Sequence, residues 1–157
     1  MYVQIDLDGP AGTLRVSGYG MPTVDLVRAP GAPVNEHVPI GTRKTALLTL
    51  TVDGQPARIR PARGRLLRSS YRVDARVDGT RYRLMPCSWH ESRLVRDGQR
   101  IGTLESSGDG TVEAEWKPDA GLTPRDRAVG TALAAAFGTG ASPWWETVGD
   151  IVGELIP

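Results

Sequence analysis

The chain has 157 residues, 19 basic against 18 acidic side chains, and one cysteine, Cys87. That length suits a single domain burying roughly two-thirds of its unfolded surface; the lone cysteine excludes an internal disulfide and any zinc site built on paired cysteines. The near-neutral total hides a division, because Arg58 to Arg100 holds twelve arginines against four carboxylates (Asp74, Asp78, Glu91, Asp97) and the flanks are correspondingly acidic.

The opening MYVQIDLDG alternates apolar and polar residues and lacks the basic start and apolar run of a signal peptide, so the expectation is a cytoplasmic protein. Ten strands are expected: 2–7, 13–17, 23–28, 45–52, 55–60, 66–77, 80–85, 92–96, 99–105 and 111–117. Asp-Gly pairs recur at Asp8-Gly9, Asp53-Gly54, Asp78-Gly79, Asp97-Gly98 and Asp109-Gly110, most of them between such runs. Asp-Gly in that setting signals a tight hairpin, since both residues tolerate the positive φ angles of a type I′ turn. The stretch 29–42, APGAPVNEHVPIGT, is a loop because its prolines and glycines sit between incomplete sheets.

A two-residue turn at Asp78-Gly79 sets a register. It pairs Val77 with Thr80, Arg76 with Arg81, Ala75 with Tyr82, Asp74 with Arg83 and Val73 with Leu84. One face then carries Val73, Ala75, Val77, Tyr82 and Leu84 and turns inward; the other carries Arg72, Asp74, Arg76, Arg81 and Arg83. Asp74 opposite Arg83 is favourable, whereas Arg76 opposite Arg81 is a like-charge pair that costs a few tenths to about 1 kcal/mol. Arg72, Arg76, Arg81 and Arg83 are therefore the candidate anion-binding residues.

The segment CSWHES, Cys87 to Ser92, gathers a thiol, an imidazole and a carboxylate. Side chains alternate along a strand, which separates Cys87 from His90, so the segment reads as a hairpin connection and no catalytic residue is assigned. Two histidines, His37 and His90, with scattered acids show no metal-ligand spacing, and no glycine loop of the phosphate-binding kind precedes a helix. No cofactor is expected. Nucleic acid is a poor partner, since only Tyr71 and Tyr82 interleave with the arginines.

From Ala128 to Phe137 the sequence AVGTALAAAF has no charge, and Thr131 is its only polar side chain. A helix apolar all round must be enclosed; ten residues make roughly 15 Å, too short for a bilayer, so no transmembrane segment is expected. Thr123 suits the cap, Pro124 the first turn and Asp126 the third position, and Gly138 and Gly140 supply the stop. Small residues (Ala128, Gly130, Ala132, Ala134, Ala135, Ala136) allow close approach of backbone around one ridge of Val129, Leu133 and Phe137. After Ser142 and Pro143 a second, amphipathic helix is expected over 142–157. Its stripe of Trp144, Trp145, Val148, Ile151, Val152 and Leu155 opposes Glu146, Asp150 and Glu154. The stripe packs either on the protein's own body, capping an open end of the barrel, or on a partner groove or second copy, for which Trp144, Trp145, Val148, Ile151 and Leu155 are the candidate partner-binding residues.

Hairpins in series, the strand pair LVRDGQRIGTLESSGDGTVEAEWKP and the capped helix LTPRDRAVGTALAAAFG together resemble the tubby-like superfamily, in particular its LURP-one-related and phospholipid-scramblase-like branch. The resemblance covers Leu47 to Gly138 and, more loosely, the first three strands. It implies a closed antiparallel β-barrel enclosing a C-terminal apolar helix, here residues 1–140 with the helix at 123–138, and a basic strand face that meets phosphoinositides. No lipid-binding motif aligns to particular positions, and the Trp144-Trp145 helix lies outside the pattern. Residues and resemblance together point to a non-enzymatic module that binds acidic phospholipid headgroups or an acidic protein surface, or to an assembly protein that associates with partners or itself through its C-terminal helix.

Overall fold

A computed structural model describes residues 2–62, 71–88 and 90–139. The expected helix at 142–157, with Trp144, Trp145, Val148, Ile151 and Leu155, lies outside them, as does the start of the strand expected at 66–77.

The alternating runs form ten strands: β1 (Gln4–Asp8), β2 (Thr13–Ser17), β3 (Val24–Arg28), β4 (Leu48–Val52), β5 (Gln55–Pro61), β6 (Val73–Val77), β7 (Thr80–Pro86), β8 (Ser92–Arg96), β9 (Gln99–Ser106) and β10 (Val112–Trp116). They pair antiparallel in chain order from β1 to β10, a single meander. Three Asp-Gly pairs make the tight turns their chemistry suits, with φ of 49° at Asp53, 47° at Asp78 and 48° at Asp97, each followed by a glycine of positive φ. Two of these turns reach the next strand over: the Asp53 carboxylate accepts from the Thr23 amide at 2.7 Å and the Asp97 carboxylate from the Arg81 amide at 2.9 Å. The Asp78-Gly79 hairpin has the expected register, Arg76 opposite Arg81 included.

Alternation sends Leu14, Val16, Val24, Leu26, Leu50, Ile59, Val73, Tyr82, Leu84 and Leu94 to one face, where they are buried. That face curves around α1 (Pro124–Phe137), the only helix longer than one turn among the described residues. Every residue of α1 from Ala128 to Phe137 is buried, as the lack of a polar stripe requires. Thr123 and Asp126 form a reciprocal capping box, and Gly138 closes the other end with its N–H on the Ala134 carbonyl.

The sheet does not close. Each end strand has a single neighbour, β2 for β1 and β9 for β10, and the result is an open half-barrel rather than the closed barrel expected from the resemblance. Closure would need β1 and β10 to meet in register, a condition on the summed tilt and stagger of all the strands. The helix is thus held loosely by strands alone: it packs against β1 to β3 at one side of the sheet and β7 to β10 at the other. The proline-rich loop supplies part of the remaining cover, where Val38 and Ile40 are buried and the Ile40 N–H donates to the Ala136 carbonyl at 2.9 Å. That bond satisfies one of the carbonyls a helix end leaves free.

Close approach is visible where α1 meets the last strands. A β-carbon on Gly130 would lie 2.5 Å from Leu94 Cδ2, and one on Gly102 would lie 2.7 Å from the Trp116 ring. Ile101 is the extra residue of a bulge, since Leu94 faces Gly102 while Val95 faces Arg100.

Two arginines act as internal ties. Arg28 is buried and donates to the carbonyls of Gly9, Pro10 and Ile40 at 2.9 to 3.1 Å, joining the first turn to the long loop. Arg43 donates to the carbonyls of Ala62, Tyr71 and Arg72 and lies 5.7 Å from the ring centres of both Tyr71 and Phe137. Burial pushes its pKa down to about 10.

Candidate anion-binding site

The outward faces of the middle strands carry the basic residues. Strand β5 presents Arg58 and Arg60 on either side of the buried Ile59, β6 presents Asp74 and Arg76 around the buried Ala75, and β7 presents Arg81 and Arg83 around the buried Tyr82. Register then arranges them in two rows. Arg58 faces Arg76, which faces Arg81; one step along, Arg60 faces Asp74, which faces Arg83. Adjacent strands stand about 5 Å apart, so each row spans roughly 10 Å.

The rows differ in charge. In the second, Asp74 accepts from Arg83 Nε at 2.6 Å and lies 3.7 Å from Arg72 Nε, and the Asp74 bond raises the Arg83 pKa further. In the first, no carboxylate among the described residues lies within 4 Å of Arg58, Arg76 or Arg81. A groove of about 900 Å³ runs over this surface, lined by Arg58, Arg60, Asp74, Arg76, Arg81 and Arg83 with Thr45, Thr49 and Val95 among its walls. Three of the four arginines expected from the hairpin, Arg76, Arg81 and Arg83, line it. Arg72 does not, and is half-buried beside Asp74. Arg58 and Arg60 were missed, although their alternation with Ile59 in ARIRP marks them as outward-facing.

Beneath the row the sheet is bolted to the helix. The Tyr82 hydroxyl donates to Asp126 Oδ1 at 2.6 Å, while Arg96 Nη1 and the Thr123 amide donate to Oδ2. Burial alone would raise the Asp126 pKa, but these bonds and the Arg96 charge hold it below its ordinary value. Burial and the bond to Asp126 push Tyr82 up to about 12. Arg125 bonds Thr80 Oγ1 at 2.7 Å and the Tyr82 hydroxyl at 3.4 Å. The cluster is fully engaged with itself and serves to position β7.

Elsewhere, between β7 and β8, the Cys87 thiol lies on the Glu91 carbonyl at 3.4 Å and the Ser88 hydroxyl accepts from the Glu91 amide at 3.1 Å. No helix among the described residues is long and apolar enough to cross a membrane.

What fold and surface define is an antiparallel β meander, wrapped part of the way around a buried helix, with an arginine-lined groove on its outer face. Comparison of the chain with protein-family models, with curated proteins and with solved structures finds no match.

Proposed function

We propose that this protein is a non-enzymatic binding module whose groove over β5 to β7 takes an anionic ligand. Anions of that kind include acidic phospholipid headgroups, in keeping with the resemblance to tubby-like domains, acidic protein surfaces and smaller phosphate compounds. The observation that carries the reading is the row of Arg58, Arg76 and Arg81, three like charges directly opposite one another with no carboxylate within 4 Å among the described residues. Like charges facing across a sheet are destabilising, so the arrangement costs stability and leaves a focused positive potential that a bound anion relieves.

Co-sedimentation with vesicles of phosphatidylcholine and phosphatidylserine, and retention on a polyglutamate column, test it. Binding to either is expected at low ionic strength, weakening steeply toward 0.5 M salt as the Debye length shrinks to a few Å, and weakening again in Arg81→Glu. Failure to bind either probe and every other anion at low salt sinks the reading.

A further inference from the structure

We infer that the ligand of this groove is a compact condensed phosphate, a group with three phosphates in a chain, seated on Arg58, Arg76 and Arg81; the inference rests on the anion-binding reading above. The row is short, roughly 10 Å over three adjacent strands, and each guanidinium offers a planar fork that grips two phosphate oxygens. A triphosphate chain is shorter than the row, and the long arginine side chains converge on its successive charged groups.

The neighbouring row limits the ligand's extent. Asp74 stands between Arg60 and Arg83 and already occupies the Arg83 fork at 2.6 Å. A second anionic group there would face a carboxylate, so a longer or branched polyanion gains little beyond the first row.

Two macromolecular ligands fit less well. Among the described residues the only aromatic one lining the groove is Tyr82, which is 1% exposed, so single-stranded nucleic acid finds no stacking platform on them. A bilayer wants apolar side chains around the basic patch. Among the described residues the exposed large hydrophobic ones, Tyr2, Tyr19, Val27 and Val34, lie before β1, after β2, on β3 and in the long loop, and none of these lines the groove.

Isothermal titration of the full chain at low ionic strength, with inorganic tripolyphosphate, orthophosphate and a nucleoside triphosphate as separate titrants, tests the inference. Tripolyphosphate should bind at least tenfold more tightly than orthophosphate. Equal affinity for the nucleoside triphosphate would assign recognition to the phosphate chain alone, and a tighter fit would add contacts from the nucleoside; both support the inference. Arg76→Ser and Arg81→Ser should each weaken tripolyphosphate binding at least tenfold, whereas Arg60→Ser should change it less than threefold. All three positions are exposed, and cooperative melting at a temperature no lower than that of the unmodified chain would show that the variants fold. Tripolyphosphate no tighter than orthophosphate overturns the ligand class, and an equal loss in Arg60→Ser overturns the seat. Vesicle or polyglutamate binding without tripolyphosphate binding overturns this inference and leaves the anion-binding reading standing; binding to no anion removes both.

Discussion

The hydroxyl of Tyr82 in β7 donates to the carboxylate of Asp126 in the first turn of α1 at 2.6 Å, across 44 positions of sequence. Asp126 also caps its own helix through the Thr123 amide and pairs with Arg96 of β8, so one carboxylate joins cap, helix and sheet. Asp126→Asn keeps the shape and removes the charge. Breaking a buried pair by removing one partner costs about 3 to 5 kcal/mol, and the lower end is expected here because the Arg96 side chain retains 19% exposure. Urea titration of the variant should show a loss of about 3 kcal/mol; a change below 0.5 kcal/mol would contradict the tie.

The same pair sets a pH response at both extremes. Asp126 has a folded-state pKa below its unfolded value, so its contribution is present above the ordinary carboxylate range and disappears as the pH falls through the depressed value. Tyr82, raised to about 12, contributes fully below its unfolded value near 10 and is lost progressively as the pH climbs from 10 to 12. In Tyr82→Phe the alkaline loss should flatten over that window. Melting temperatures recorded from pH 9 to 12 check it, an unchanged slope being the contrary result.

Arg28 should tolerate no apolar substitute. Arg28→Met leaves the carbonyls of Gly9, Pro10 and Ile40 without their donor. A buried polar group that loses its partner costs about 1 to 3 kcal/mol, so a drop of at least 2 kcal/mol is expected by chemical denaturation. Gly41→Ala should fail by a related route, because φ there is 95° and a β-carbon would stand 2.1 Å from Arg28 Nη1.

Arg76→Glu should be neutral or stabilising. Arg76 faces Arg58 on one side and Arg81 on the other, and the change converts two like-charge pairs into two opposite-charge pairs. A gain of about 0.5 to 1 kcal/mol is expected at low salt, shrinking in 0.5 M salt. Thermal melts at the two ionic strengths measure it; a salt-independent loss of stability would mean that Arg76 is held by something other than the row.

Ala132→Arg places a charge at a helix position only 2% exposed. Burying an unpaired charge costs several kcal/mol against a total stability of about 5 to 15 kcal/mol, so the variant should not fold as a soluble protein. A soluble variant with the native melting profile would refute the buried helix.

Local signals were legible in the residues themselves. Asp-Gly tolerates the backbone of a tight turn, so Asp53, Asp78 and Asp97 placed three hairpins; period-two alternation then assigned each side chain a face, and Arg76 had to stand opposite Arg81. The same holds for α1, whose cap at Thr123 and lack of a polar stripe from Ala128 to Phe137 dictated both its start and its burial. Relations between distant segments emerged from the folded arrangement alone. Arg58 reaches Arg76 through a long connection with no Asp-Gly pair to set its register, so the third member of the row could not be paired from sequence, and neither could Asp74 be seen to split the groove. The buried ties of Arg28 and Arg43 are also illegible locally, because an arginine reads as surface until three carbonyls converge on it. Closure failed for the same reason: whether β1 meets β10 depends on the twist, stagger and bulging summed over ten strands, and no single residue encodes that sum.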